Sequence, residues 1–185
     1  MNTFDLSVEE ILKIEGGLSD NPDDPGGITN FGISIRFAGS IGFDLDEDGD
    51  TDEDDIKALN IEGAKLIYFE HFWVKIHGDL LPRGLAHIVF DEAVNQGPRS
   101  AIKDLQYAVG ATVDGIFGDQ TRMESHRHYN ENSINELCAR RMDRYGRARN
   151  KAGAYLLPYF GLGWGRRLMR AHAFGLDLAR KDGVI

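Results

Sequence analysis

Residues 15–34 read EGGLSDNPDDPGGITNFGIS, a lone glutamate followed by five glycines, two prolines and three aspartates. Just before it, Val8, Ile11 and Leu12 recur at i, i+3 and i+4, the stripe of an amphipathic helix. Glu15 takes the next place on that stripe, at i+7. Ser7 followed by Glu10 has the form of a capping box, flanked by Leu6 and Ile11 as a hydrophobic staple. The helix is therefore expected to open near Ser7 and to end at Gly16 and Gly17. Beyond the turn, Ile28, Phe31, Ile33 and Ile35 alternate loosely, which predicts a short strand or hairpin over 27–35.

This placement gives Glu15 a chemical reading. On the apolar side of its helix it is at least partly desolvated, which disfavours the carboxylate. The negative end of the helix dipole acts in the same direction. A carboxyl kept protonated near neutrality is what a general acid needs. A helix-end glutamate that simply reaches solvent is the plain alternative.

The second informative stretch is DLDEDGDTDEDD, residues 44–55, nine acids and no base. It accounts for the net charge of −9, because the remaining chain holds 21 acids against 21 bases. Its spacing is more than a charge run. Asp44, Asp46 and Asp48 fall at positions 1, 3 and 5, and Gly49 at 6. Asp50 stands at 7, where a ligand is a backbone carbonyl, Asp52 at 9 and Asp55 at 12. The order resembles the EF-hand Ca²⁺ loop, with Asp in place of the final Glu as in dockerin-like loops. Thr51 departs from the aliphatic residue usual at position 8, and no second loop is present to pair with it. The expectation is a structural Ca²⁺ site, placed between the hairpin and the next helix, with no organic cofactor.

The rest reads as helices. One is expected from about Asn60 through IEGAKLIYFEHFWVKI. Others are expected over GLAHIVFDEAVNQG, with Asn95 and Gln96 at its end, over SAIKDLQYAVG up to Gly110, and from a capping box at Ser133 and Glu136. After a Gly/Pro-rich stretch, WGRRLMRAHAFGLDLARK is the last. The fold class is thus mainly α, with a small N-terminal β-hairpin and an EF-hand-like Ca loop. At 42% hydrophobic over 185 residues the chain has enough apolar content for a core. A lone Cys138 excludes an internal disulfide, and its apolar helical setting suits a buried structural thiol. No apolar run approaches the roughly 18–20 residues that span a bilayer, and MNTFDLSVEE lacks the features of a signal peptide. Two histidines in HRH (126–128) without HExxH argue against a zinc peptidase. From residue 120 onward, 13 Lys and Arg face 6 Asp and Glu, a balance that favours an anionic polymer or membrane surface over nucleic-acid chemistry of any recognisable motif.

Glu15, Asp24 nine positions on and Thr29 five further resemble the Glu-Asp-Thr arrangement of phage-type lysozymes. More closely, EGGLSDNPDDPGGITNFGIS resembles the N-terminal signature of glycoside hydrolase family 108, the N-acetylmuramidase-type endolysins. The likeness continues through DEDDIKALNIEGAKLIYFEHFW and FDEAVNQGPRSAIKDLQYAVG. It implies a lysozyme-like domain over 1–185, with a catalytic lobe over 1–95 carrying loop 44–55. The helical part over 96–185, with LQYAVGATVDGIFGDQT, resembles a peptidoglycan-binding region. The implied reaction is hydrolysis of the β-1,4 bond between N-acetylmuramic acid and N-acetylglucosamine in bacterial peptidoglycan. Glu15 would be the acid, and Asp24 and Thr29 would position water; Asn95 and Gln96, at the end of an apolar helix, are expected to line the cleft and contact substrate, a helix cap being the alternative. Asp23 and Asp20 are the alternatives to Asp24. A lytic transglycosylase, or a non-catalytic Ca²⁺-dependent wall-binding module, are the rival readings. The resemblance further implies a protein made in the host cytoplasm that acts in the periplasm or cell wall after release through a holin-type pore; a monomer is the default expectation, and without a long apolar run no stable membrane insertion is expected.

Overall fold

A computed structural model describes residues 2–20 and 27–185. Asp23 and Asp24 lie outside the described residues. The architecture is mainly helical with one small N-terminal β-hairpin, as the sequence predicts. It divides into two compact units, Val8–Phe69 and Met1–Ser7 with Glu70–Ile185.

In the first unit, helix α1 (Thr3–Glu15) contributes its later turns. Val8 and Ile11 are fully buried, as the stripe predicts. The start of α1 corrects the sequence reading. The helix opens at Thr3, capped by Asn2, whose side chain accepts from the Asp5 amide at 2.8 Å. Ser7 is not a cap but a buried residue inside the helix. Asn2 stands one turn earlier and offers the free amides an acceptor first.

Strands β1 (Thr29–Asn30) and β2 (Ile33–Ser34) pair antiparallel, Thr29 opposite Ser34 and Asn30 opposite Ile33. The two residues between them, Phe31 and Gly32, both have positive φ (49° and 78°). That is the type I′ geometry which matches the twist of a tight hairpin. Helix α2 (Ile35–Ile41) follows directly, capped by Ser34 and closed by Gly42 in the left-handed region. It was not expected from sequence: seven residues with an internal glycine and no long stripe give little periodic signal. The acidic loop therefore follows α2 rather than the hairpin. Helix α3 (Glu53–Ala58) leaves the loop, capped by Asp52, and α4 (Ile61–Tyr68) starts at the Asn60 cap. The single helix expected from Asn60 to Ile76 is instead broken. After α4 comes a π turn, Phe69–Trp73, and then two 3-10 turns, Val74–Ile76 and Gly78–Leu80.

The second unit is built around α5 (Arg83–Gln96), whose residues 84–93 are all buried. Around it lie α6 (Pro98–Val109), α8 (Glu131–Arg147) and α9 (Leu157–Lys181), and α7 (Asp119–Arg127) packs on α6. Trp73 is wholly buried and meets Phe4 and Phe90 edge-on, at 5.5 and 5.3 Å between ring centroids. Helices α5 and α9 cross at glycines: a Cβ on Gly84 would lie 2.6 Å from the Gly175 carbonyl. Cys138 is buried and its thiol is pushed up to about 12, chiefly by that burial, so it is chemically inert. Helix α8 is capped by Asn130 with Ser133 as the reciprocal partner, so the box sits one turn earlier than Ser133–Glu136. Helix α9 begins at Leu157, absorbing the Gly/Pro-rich stretch that reads locally as loop.

Ionic groups tie this unit together. Asp91 on α5 accepts from Arg141 on α8 at 2.5 Å and from Arg167 on α9 at 3.0 Å. Burial alone would raise the Asp91 carboxyl, but Arg141, Arg167 and His87 hold it below the ordinary range. Next along α5, Glu92 is wholly buried beside Asp104 of α6. Burial first, and then its hydrogen bond with Asp104 and that residue's charge, hold Glu92 protonated well above the usual range. Arg144 binds Asp104 at 2.6 Å.

Candidate active site

The Val8–Phe69 unit assembles Glu15 from three directions. Helix α1 ends at Glu15, and Gly16 in the left-handed region turns the chain. Ser19 and Thr29 exchange both backbone hydrogen bonds, at 2.8 and 2.9 Å. This bridge sets Ser19 beside the start of β1. Asp20 beside the bridge is exposed.

The hairpin turn packs onto the Glu15 side chain. A Cβ built on Gly32 would lie 2.8 Å from Glu15 Cγ, 2.9 Å from Glu15 Cβ and 2.6 Å from the Tyr68 hydroxyl. Only glycine fits there, on two counts: the contact and the φ of 78°. Tyr68 is fully buried and donates to the Phe31 carbonyl at 2.9 Å, locking the same turn from α4. Glu15 is half-buried. Thr29 is half-buried on β1, and its hydroxyl donates to the Gly27 carbonyl at 3.2 Å. With its hydrogen so used, the oxygen keeps lone pairs for an incoming donor.

Sequence reading did not find Gly32 or Tyr68 as parts of this frame. Gly32 carried a usable signal, since a hairpin turn between alternating residues calls for glycine. Tyr68 carried none beyond apolar periodicity, because its hydroxyl partner lies 37 residues away. Asn30 is a third such residue. It is buried, and its amide donates to the carbonyls of Ile56 and Leu59 at 3.0 and 3.1 Å. It pins the hairpin to the end of α3.

Helix α3 in turn exits the acidic loop. Carboxylate oxygens of Asp44, Asp46 and Asp48 lie within 4.8 Å of one another. The Gly49 amide donates to Asp44 Oδ2 at 3.0 Å, and Gly49 adopts a φ of 103° that favours glycine. Asp44 Oδ1 is buried and accepts no hydrogen bond among the described residues. The Asp46 carboxyl is raised, first by desolvation and then by its acidic neighbours, while that of Asp50 is raised chiefly by Asp48. Asp50, Asp52 and Asp55 are not part of the close group. Asp52 caps α3. Asp55 is buried, accepting from the amides of Leu45 at 2.5 Å and Asp52 at 2.8 Å. These bonds, that to Asp52 first, hold its carboxyl below the ordinary range. The close trio, with hard oxygens and mutual repulsion, is able to chelate a cation.

Asn95 and Gln96 belong to the other unit. They line a cavity of about 570 Å³ with Asp104, Arg140, Arg144, Tyr145 and Trp164 among its walls. Asn95 accepts from the Tyr145 hydroxyl at 2.9 Å. The Gln96 carbonyl oxygen is buried without a hydrogen-bond partner among the described residues. The nearby LQ…DG…T motif is spent internally. Buried Gln106 donates to Asp114, Ile116 and Thr121, and accepts from the amides of Asp114 and Gly115. Those residues shape the connector between α6 and α7.

The sequence profile described as Glycosyl hydrolase 108 matches residues 8–97. No curated protein sequence matches the chain. Among solved structures, the chain is similar to one titled "Structure of Brucella abortus SagA". The two are 34% identical with a TM-score of 0.81, over 96% of this chain and 96% of that one. The chain belongs to the glycosyl hydrolase 108 family and is a glycoside hydrolase.

Proposed function

We propose that this enzyme is a muramidase, cleaving the β-1,4 bond between N-acetylmuramic acid and N-acetylglucosamine in bacterial peptidoglycan, with Glu15 as general acid. One observation carries the assignment: the Glu15 side chain is clamped between the end of α1 and a hairpin turn that admits only glycine at position 32. Such holding suits a group that must meet a glycosidic oxygen in one orientation.

In this reading Glu15 gives its proton to the leaving oxygen as the glycosidic bond breaks. Asp24 takes a proton from the attacking water, and Thr29 accepts the water's other hydrogen. Inversion requires room for that water, roughly 6.5–9.5 Å between the two carboxyls. Asn95 and Gln96 are proposed to bind substrate. The Asp44–Asp46–Asp48 trio, with the Asp50 carbonyl, Asp52 and Asp55 in supporting places, is proposed to hold a structural Ca²⁺. The uncommitted Asp44 oxygen and the glycine at 49 favour it. Bound there, the ion would neutralise crowded carboxylates and steady the start of α3; it takes no part in bond cleavage.

The test is product analysis of digested peptidoglycan beside Glu15→Gln. The substitution is expected to lower the rate by about 10²–10⁴-fold, and wild-type products should carry reducing muramic ends. Equal clearance by the variant would sink the assignment of Glu15. Anhydro-muramic ends would replace the hydrolase by a transglycosylase.

A further inference from the structure

The first half of α9 is built unlike the rest of its unit. Residues 157–167 include none that is buried, and the first buried position is Leu168. Three glycines, Gly161, Gly163 and Gly165, lie in these turns, where glycine is a poor helix former. A Cβ on Gly163 or Gly165 would meet nothing within 4 Å, so packing inside the chain does not require them. On the open side Tyr159, Leu162, Arg166 and Met169 follow one another at helical spacing. Tyr159 is 78% exposed, Leu162 70% and Met169 63%. Arg166 and Arg170 have no ion-pair partner among the described residues, whereas Arg167 turns inward to Asp91.

Charge narrows the choice of partner. From residue 144 to 176 there are seven Lys and Arg and no Asp or Glu; Arg144, Arg147 and Arg167 pair with acids from outside this span, which leaves Arg149, Lys151, Arg166 and Arg170 as its excess. A second copy of the chain, meeting the same face about a two-fold axis, would set this cation excess against itself. A polysaccharide would use the aromatic rings but would leave Leu162 and Met169 without an apolar counterpart. Arginines flanking tyrosine, leucine and methionine on one helical face match a bilayer interface, with head groups for the cations and acyl chains for the rest. No described helix is long and apolar enough to cross a membrane, so the helix would lie on the surface.

We propose that the exposed stripe of α9, from Tyr159 through Arg170, docks on the surface of an anionic phospholipid bilayer. The glycines let the backbone approach the head groups closely. The adjoining turn, where Arg149 lies 3.6 Å over the Tyr155 ring, adds a cation–aromatic pair next to it in the chain. Docking would hold the enzyme at the membrane face next to its polymer, and it does not depend on Glu15 being the acid.

Flotation of the full chain with vesicles tests this. The wild type should float with phosphatidylethanolamine–phosphatidylglycerol vesicles and stay unbound with phosphatidylcholine alone. Trp164, close to the stripe, should shift its fluorescence to the blue on the anionic vesicles. The double variant R166E/R170E should lose tenfold or more of the bound fraction, as should L162S/M169S at unchanged charge. Each variant is checked against wild type by circular dichroism and by release of soluble muropeptides, neither of which should change. Absence of wild-type binding to anionic vesicles would overturn the proposal, as would equal binding to phosphatidylcholine. Loss of sacculus binding in the same variants, without vesicle binding, would assign the face to wall polymer instead. A concentration-dependent dimer abolished by L162S/M169S, again without vesicle binding, would assign it to a second copy.

Discussion

Gly32 lies against Glu15 so closely that an added methyl group would fall 2.8 Å from Glu15 Cγ. Gly32→Ala should therefore act on catalysis more than on folding. The left-handed backbone costs an alanine about 1–2 kcal/mol, visible as a fall of several degrees in Tm. The displaced Glu15 side chain should lower kcat by at least tenfold with KM little changed. Thermal melts and peptidoglycan kinetics measured side by side would check it; a variant with full kcat would show that the clamp is not needed.

Asn30 joins the hairpin to α3 through two carbonyls. Asn30→Ala leaves both without that donor and should destabilise the chain by about 1–3 kcal/mol. Chemical denaturation measures the loss. If the hairpin is held in place mainly through this amide, activity should fall as well at temperatures where the protein remains folded.

The cation loop predicts a response to chelation. Adding excess EDTA should lower Tm, and Ca²⁺ should restore it by the mass-action relation for a ligand that binds only the folded state. The variant D46N/D48N should melt near the EDTA-treated wild type and ignore added Ca²⁺. An unchanged melting temperature under EDTA would remove the structural metal.

Glu92 gives the pH dependence a definite sign. In the folded chain burial keeps its proton at pH values where the unfolded chain has released it. The folded state then holds the extra proton, so stability declines as pH rises from the ordinary carboxylate range towards Glu92's raised value. Below that range the effect is absent. Glu92→Gln removes the titration, and its Tm should fall less than that of wild type as pH rises above the ordinary carboxylate range.

Asp91 has the opposite character, held ionised by Arg141 and Arg167. Its contribution is present above the ordinary carboxylate range and is lost as pH falls through the lowered value. Asp91→Asn strands the wholly buried Arg141 and should cost about 3–5 kcal/mol. Replacing both, as D91L/R141M, should recover much of that loss in urea melts.

The parts legible in the sequence were those written in local pattern. Glu15 closing an apolar stripe, the hairpin within 27–35, the gathering of Asp44, Asp46 and Asp48 and the stop at Gly110 all depend on residues a few positions apart. Caps were harder, because Asn2 and Asn130 stand one turn ahead of equally plausible serines and win by reaching the free amides first. Helix α2 was too short to show a period. The start of α9 was hidden by glycines whose helical state local propensity opposes. Of the clamp on Glu15 only the glycine of its hairpin turn was readable: that Gly32 packs on Glu15 and that Tyr68 locks the turn arise through folding, as Asp91 meets Arg141 across 50 residues.

Asp55 has a consequence for how a cation would arrive. Its two oxygens gather the amides of Leu45 and Asp52, the second residue of the loop and the ninth. The chain is thereby bent to its course by the Asp55 carboxylate. Binding to such a loop orders little new chain, so the heat-capacity change on titration should be small compared with coupled folding. Association should likewise proceed without waiting for a conformational search.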